Sequence, residues 1–140
     1  DLEMWTISRI RIADNIFIGK EKDFLQSRKK KKKAMNEAAL KILKDIGVTD
    51  IIPKYKIDEL NFEDRKLVEI ARAMYDQPEV LIVDETTTAL SQRGRDIVYS
   101  LCRKMASEGK GVIFISHDLD EIMEICTALT VLRDGDLIGT

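Results

Sequence analysis

The chain has 140 residues, of which 44% are hydrophobic and 34% charged, and its formal net charge is −2. This composition is typical of a soluble globular domain, and the length fits one domain or part of a larger one. The charge balance gives no reason to expect nucleic acid as a partner, and no run approaches the roughly 20 apolar residues of a membrane span. Asp1 is not a natural first residue, so we expect the chain to be part of a longer protein.

The first 60 residues are predicted to be mainly helical. A short helix is expected to begin at Asp14 or the residue before it and to end at Gly19. Six consecutive cations at positions 28–33 then run into an apolar stripe of helical period that ends at Gly47. Such a run is compatible with nucleic acid or acidic lipid. Because it leads straight into the stripe, we favour a solvated helix start or loop, frayed by cations at the positive end of the helix dipole.

A third helix is predicted to begin after Leu60, beyond a connector that carries Pro53. Asn61 is a plausible N-cap, and Glu63 and Asp64 lie in the first turn, where carboxylates are favourable. The predicted inner face follows helical spacing and consists of Leu67, Val68, Ala71, Met74 and Tyr75.

Two carboxylates follow the first strongly apolar run of the second half. Residues 80–83 are all apolar, are preceded by Pro78, and end at Asp84 and Glu85. An ordinary buried strand followed by a solvated acidic turn explains this run as well as a functional site does. A run this short and apolar predicts a strand buried on both faces, as in parallel sheets. Its carboxyl end would deliver both acids to the rim where open α/β folds place their chemistry.

The only histidine of the chain follows a second run of the same kind. Residues 111–115 lead to His117, and residues 91–110 between the two runs have the length of a crossover helix. A lone histidine is more often structural than catalytic. The spacing nevertheless predicts two parallel neighbouring strands that share one edge, with the acid pair and the imidazole on it.

The end of the chain is predicted to form a strand and a hairpin. A third strand is expected at residues 128–132, and the Asp-Gly pair at 134–135 predicts the turn that follows it. Cys102 and Cys126 fall on predicted apolar helix faces, so we expect both to be reduced core residues.

A family resemblance is carried by segments 12–21, 60–64, 68–73, 80–85, 88–91, 115–118, 121–126 and 132–135. In this order they resemble the ATP-binding subunits of ABC transporters from just after the phosphate-binding loop onward, above all those of bacterial ribose, galactose and xylose importers. The resemblance covers essentially the whole chain. It implies an α/β fold, a partial P-loop NTPase core of the ABC type with parallel strands at 77–140. A helical subdomain at 1–76, with a degenerate signature at about 60–66, would precede that core.

Carried over position by position, the resemblance assigns roles to the predicted site residues. Asp84 would hold Mg²⁺ through water, Glu85 would polarise the water that attacks the γ-phosphate of ATP, and His117 would contact that phosphate. These residue types suit phosphoryl transfer, which depends on positioning and charge neutralisation, and a neutral imidazole can donate to a phosphate oxygen. The further candidates for nucleotide contacts are Asn61, Glu63, Asp64 and Ser91.

The chain also departs from the family's pattern. Its 140 residues contain no G-x-x-x-x-G-K-[ST] phosphate-binding loop, and the family's metal-sensing glutamine falls at Leu2. Asn61 and Glu63 stand where the family has a serine and a glycine that face a second subunit's γ-phosphate, and a carboxylate there is repulsive. Ser91 stands where the family usually has an aspartate in the segment that follows the acid pair. Thr86 stands where the family usually has a proline, directly after the glutamate. We therefore expect a fragment that does not hydrolyse ATP alone, from a parent with one poorly hydrolysing site.

The resemblance leaves two functions open. In the first, the parent is the ATP-hydrolysing subunit that powers sugar import, peripheral on the cytoplasmic face of the cell membrane. Its partners would be transmembrane permease subunits, a second ATPase half or subunit and, indirectly, a periplasmic or extracellular sugar-binding protein. In the second, a catalytically degenerate half serves to dock the membrane subunits. A chromosome-maintenance or repair ATPase fits less well without coiled-coil heptads, and nucleic acid is not an expected partner because the lysine run lacks interleaved aromatics.

Overall fold

The computed structural model describes residues 6–24 and 27–140. The elements in chain order are α1 (Ile12–Ile16), α2 (Arg28–Asp45), α3 (Phe62–Met74), β1 (Val80–Asp84), α4 (Gln92–Ser107), β2 (Gly111–Ile115), α5 (Leu119–Ile125), β3 (Val131–Arg133) and β4 (Asp136–Gly139). Short 3₁₀ turns lie at Glu21–Asp23, Ile57–Glu59 and Thr86–Ala89. The expectation for Leu2 lies outside the described residues.

The helical half follows the local signals of the sequence. Asn61 caps α3, since its Oδ1 accepts from the backbone N–H of Asp64 at 2.8 Å. Gly47 follows α2 with a φ of +93°, as expected for a helix stop. The helix α1 begins at Ile12, slightly earlier than predicted. The cations at 28–33 form the first turns of α2, which confirms the predicted helix start.

The second half contains the predicted parallel pair of strands. β1 and β2 are parallel, with Val80 opposite Gly111 and Asp84 opposite Ile115, and α4 is the crossover helix between them. Ser91 begins α4 as its N-cap, accepting from the backbone N–H of Gly94 at 3.4 Å. The carboxyl ends of the two strands therefore lie at one edge, as predicted.

The expected burial of β1 on both faces is wrong. Leu81 and Val83 are 9% and 6% exposed and belong to the core, whereas Val80 and Ile82 are 52% and 61% exposed. β2 shows a similar alternation. Successive side chains of a strand point to opposite faces, and in the described part of the chain the helices cover only one face of this two-stranded sheet. Apolar composition alone therefore did not decide burial.

The end of the chain forms a separate two-stranded sheet. β3 and β4 are antiparallel, and Asp134 and Gly135 turn between them with φ values of +51° and +89°. The strand before the turn starts at Val131, later than predicted. Cys102 is buried in α4 as expected, but Cys126 is the half-buried residue that follows α5, and both are free thiols.

One hydrophobic cluster runs through both halves of the chain. It includes Phe17 and Leu43 from the helical half and Leu81, Val98 and Met105 from the α/β half. The division into parts at 1–76 and 77–140 stays a prediction. None of the helices in the described ranges has the length and apolar character needed to cross a bilayer.

Candidate functional site

The carboxyl ends of β1 and β2 bring Glu85 and His117 into contact. Nδ1 of His117 lies 2.8 Å from Oε2 and 3.1 Å from Oε1 of Glu85. The imidazole is 73% exposed and the carboxylate 39% exposed, so both are accessible to a ligand. The structure thus joins the two residues that were predicted to share this edge, while their catalytic roles stay predictions.

The backbone of Glu85 has a conformation that is unusual for a residue other than glycine. Its φ and ψ are +49° and 16°, in the left-handed region. The Glu85 N–H donates to the carbonyl of Ile115 at 3.0 Å, which extends the pairing of the two strands by one residue. The Thr88 hydroxyl donates to Oε2 of Glu85 at 3.1 Å. No role for Thr88 had been predicted from the sequence. Backbone strain like that of Glu85 is concentrated at functional sites.

The contact changes the protonation of both groups. The hydrogen bond from His117 lowers the pKa of Glu85, and the hydrogen bond and charge of Glu85 raise the pKa of His117. An ionised carboxylate only accepts, so Nδ1 carries the proton in this contact. Nε2 can then donate to a further acceptor only when the ring is protonated. Donation to a phosphate by a neutral ring, expected from the sequence, would require that the contact with Glu85 break, and it stays a prediction.

We expect the Glu85–His117 contact to appear as a raised histidine pKa in solution. His117 should titrate above its ordinary pKa of 6.5, and Glu85→Gln should return that pKa toward 6.5, because a neutral amide makes a weaker hydrogen bond to the charged ring and carries no charge. The measurement is an NMR pH titration of the imidazole Cε1–H, which gives one signal because the chain has one histidine.

The pKa shifts of His117 and Glu85 also determine how their contact changes the free energy of unfolding with pH. The contribution of His117 to the free energy of unfolding is complete below pH 6.5, and it is lost as the pH rises through the raised pKa of the folded state. The contribution of Glu85 is present above its ordinary pKa of 4.5 and is lost as the pH falls through the lowered value. Glu79→Gln, at the exposed position directly before the same strand, should leave the titration of His117 unchanged. Identical titrations for wild type and Glu85→Gln would show that the contact does not form in solution.

Asp84 and Glu85 line an open cleft of about 780 Å³ between α3, β1 and α4. Asp84 is exposed at the end of its strand. Within residues 6–24 and 27–140, no group of three or more His, Cys, Asp and Glu side chains is arranged to hold a metal ion. Mg²⁺ at nucleotide sites takes one or two protein carboxylates, and phosphates and water supply its other ligands. A single exposed carboxylate on the rim of a cleft fits that kind of site.

The remaining candidates meet where α3 and α4 begin. The backbone N–H of Ser91 donates to Oε2 of Glu63 at 2.6 Å. Hydrogen bonds from the side chain and backbone of Ser91 hold the pKa of Glu63 below its usual value. Asn61 already uses its Oδ1 to cap α3 through Asp64. The carboxylate of Glu63 is therefore turned toward the start of α4.

Arg93, which the sequence did not single out, joins three segments at this place. Its Nη1 lies 3.4 Å from both Glu63 Oε1 and Asp64 Oδ1, and its Nη2 lies 2.5 Å from Asp50 Oδ1. Gly94 allows the Glu63 carboxylate to lie close to α4, because a Cβ at position 94 would be only 3.0 Å from Cδ and Oε2 of Glu63. The only signal in the sequence was a cation in the first turn of a helix, where the helix dipole favours acidic side chains. A cation at such a position is favourable when carboxylates surround it.

Comparisons with known proteins agree over nearly the whole chain. No protein-family profile matches it. The ribose import ATP-binding protein RbsA of Halalkalibacterium halodurans is 32% identical over 138 residues, which are 99% of this chain and 28% of that protein. RbsA of Clostridium tetani is 36% identical over 140 residues, 98% of this chain and 27% of that protein. RbsA 1 of Rubrobacter xylanophilus is 38% identical over 136 residues, 95% of this chain and 26% of that protein.

A solved structure matches in fold. It is a metal-chelate type ABC transporter in an inward-facing conformation, with a TM-score of 0.71 and 22% identity, and the match covers 91% of this chain and 51% of that one. The fold is a partial α/β core of the P-loop NTPase type. The chain spans 26–28% of the length of the three curated relatives. It is therefore homologous, over nearly all of its length, to one segment of the monosaccharide-import ATP-binding proteins of the ABC transporter family.

Proposed function

We propose that the chain is a segment of the ATP-hydrolysing subunit of an ABC transporter that powers sugar import across the cytoplasmic membrane. The observation that carries this proposal is the contact between Glu85 and His117 at the carboxyl ends of adjacent parallel strands. Phosphoryl transfer needs a group that orients water and a donor for the phosphate on the same side of the nucleotide. The relatives named as ribose import ATP-binding proteins support a sugar as the transported class.

In this proposal each residue of the edge has one task. Glu85 orients the attacking water, and the Thr88 hydroxyl fixes one oxygen of its carboxylate. The protonated ring of His117 donates from Nε2 to the γ-phosphate. Asp84 would hold Mg²⁺ through water, and when bound the ion supplies charge neutralisation at the phosphate oxygens.

Other parts of the full-length protein would supply the phosphate-binding loop and the remaining nucleotide contacts. The 140 residues contain no phosphate-binding loop, and we propose that the segment by itself does not hydrolyse ATP. The full-length protein would lie peripherally on the cytoplasmic face of the membrane. Its direct partners would be the permease subunits and a second ATPase half or subunit, and a sugar-binding protein outside the cell would act with it indirectly.

A second candidate is a catalytically degenerate half that docks the membrane subunits. Glu63 is the observation that favours it, because a carboxylate stands where the family's signature has a glycine, and Ser91 and Arg93 hold it ionised at the start of α4. A negative charge there disfavours a second subunit's phosphate. Loss of ATP turnover on replacing Glu85 would favour the first candidate, and unchanged turnover the second.

His117→Ala is expected to weaken ATP binding by the full-length protein roughly 10-fold, the effect of losing a hydrogen bond to a charged group. ADP binding should stay nearly unchanged, because ADP has no γ-phosphate. The measurement is calorimetric titration with ATP and with ADP in the presence of Mg²⁺ at a pH below 6.5, where the ring is charged. Met123→Ala, a change at an exposed position of α5, is the control. Equal losses for both nucleotides would contradict a contact with the γ-phosphate.

A further inference from the structure

An unbalanced basic surface lies at the start of α2. Residues 28–33 are one arginine and five lysines, and all are exposed except the half-buried Lys31. With the helical rise of 1.5 Å per residue, six positive charges occupy about 9 Å of helix. Since the whole chain sums to −2, the residues outside this basic run carry a net −8. Positive charge is therefore concentrated in the basic run, while the other residues of the chain are acidic overall.

Few acidic side chains compensate the basic run in the described part of the chain. Lys33 lies 3.9 Å from Oε1 of Glu37, at the limit of an ion pair, and both side chains are well exposed. Backbone hydrogen bonds, and more weakly the charge of Lys31, lower the pKa of Glu21. The first turn of α2 contains no acid, and Ser27 makes no side-chain cap bond. The positive field of the run therefore faces solvent.

The basic run also works against the helix that carries it. Cations in the first turn oppose the helix dipole, and like charges three and four residues apart repel. The buried residues of α2, Met35, Ala39 and Leu43, all follow the run, so core packing does not require the cations. Violation of a local rule without a structural gain is typical of a segment kept for function.

We propose that residues 28–33 form a docking surface for an anionic lipid bilayer, with the headgroup phosphates as the partner. Clusters of four to eight cations on a helix match the charge density of acidic lipid surfaces. Consecutive helical residues point in different directions around the axis, and mobile headgroups can contact the five exposed cations of the run at one helix end. An extended polyanion such as duplex DNA would instead meet the acidic remainder of the molecule, and the run has no aromatic side chains for stacking.

The test is co-sedimentation of the purified protein with vesicles of phosphatidylglycerol and phosphatidylcholine. Each lysine near an anionic surface strengthens binding by roughly fivefold, so K29Q/K30Q/K32Q should lower the partition coefficient by on the order of a hundredfold. K29R/K30R/K32R should retain binding. Binding of the wild type should disappear at high salt and with pure phosphatidylcholine.

The matched control is K41Q/K44Q/K104Q, which removes the same net charge from exposed positions elsewhere. It should bind nearly as well as wild type, and K29Q/K30Q/K32Q should melt no lower than wild type, because cations leave the positive end of the dipole. Equal loss in the control, equal binding to neutral vesicles, or equally tight binding of duplex DNA or polyglutamate would overturn the proposal. It goes beyond the proposed function, and its failure would leave the nucleotide binding test of His117 unaffected.

Discussion

Replacing Glu85 with glutamine is expected to reduce ATP turnover by the full-length protein about 10²- to 10⁴-fold, the usual contribution of a positioned acid–base group. Glutamine has the same size and keeps an oxygen that can accept from Thr88. It loses the negative charge that polarises the attacking water and that raises the pKa of His117. ATP binding should change far less than turnover, because the carboxylate acts mainly in the transition state. The measurement is phosphate release at saturating ATP and Mg²⁺.

Glu79→Gln provides the matched control for this experiment. Glu79 directly precedes β1, at the opposite end of the strand from Glu85, and is exposed. The same change of charge there should leave turnover unaltered. If Glu85→Gln turned over ATP like wild type, Glu85 would have no part in the reaction, and the docking function would be the better account of this segment.

Signals between neighbouring residues were the ones that sequence analysis interpreted correctly. Asn61 caps α3 and Gly47 ends α2 because each needs only the adjacent backbone. The parallel pairing of β1 and β2 followed from two apolar runs separated by one helix. Because parallel strands end at the same edge, Glu85 and His117 were correctly placed together before any distance was known.

Contacts between residues far apart in the chain cannot be predicted from such local signals. Arg93 bonds to Asp50, 43 positions away, and Glu63 accepts from Ser91, 28 positions away. No periodicity connects such pairs, so only the folded chain reveals that Glu63 faces α4. The exposure of Val80 and Ile82 had the same cause, because burial depends on which face the helices cover. The positive φ of Glu85 is set by tertiary contacts, since local preference would place a glycine or asparagine there.

Phe17→Ala is expected to lower the free energy of unfolding by about 3–5 kcal/mol, a large part of the roughly 5–15 kcal/mol typical of a domain. The Phe17 side chain is fully buried just after α1. Its ring centroid lies 4.8 Å from that of Phe24 and 5.0 Å from that of Tyr75, and the Tyr75 ring meets it edge-on. Tyr75 is itself held by the bond from its hydroxyl to Asp23, at 2.8 Å. The ring of Phe17 thus joins the start of the chain to the end of α3, and its loss leaves a cavity between them.

Urea denaturation followed by circular dichroism measures this effect, and Ile82→Ala is the control. Ile82 lies in the most apolar run of the sequence, yet it is 61% exposed. Its truncation should therefore cost no more than about 0.5 kcal/mol, as for other surface positions. A larger loss for Ile82→Ala than for Phe17→Ala would mean that the open face of β1 is covered in solution. In that case the strand, rather than the aromatic cluster around Phe17, would dominate the stability of the fold.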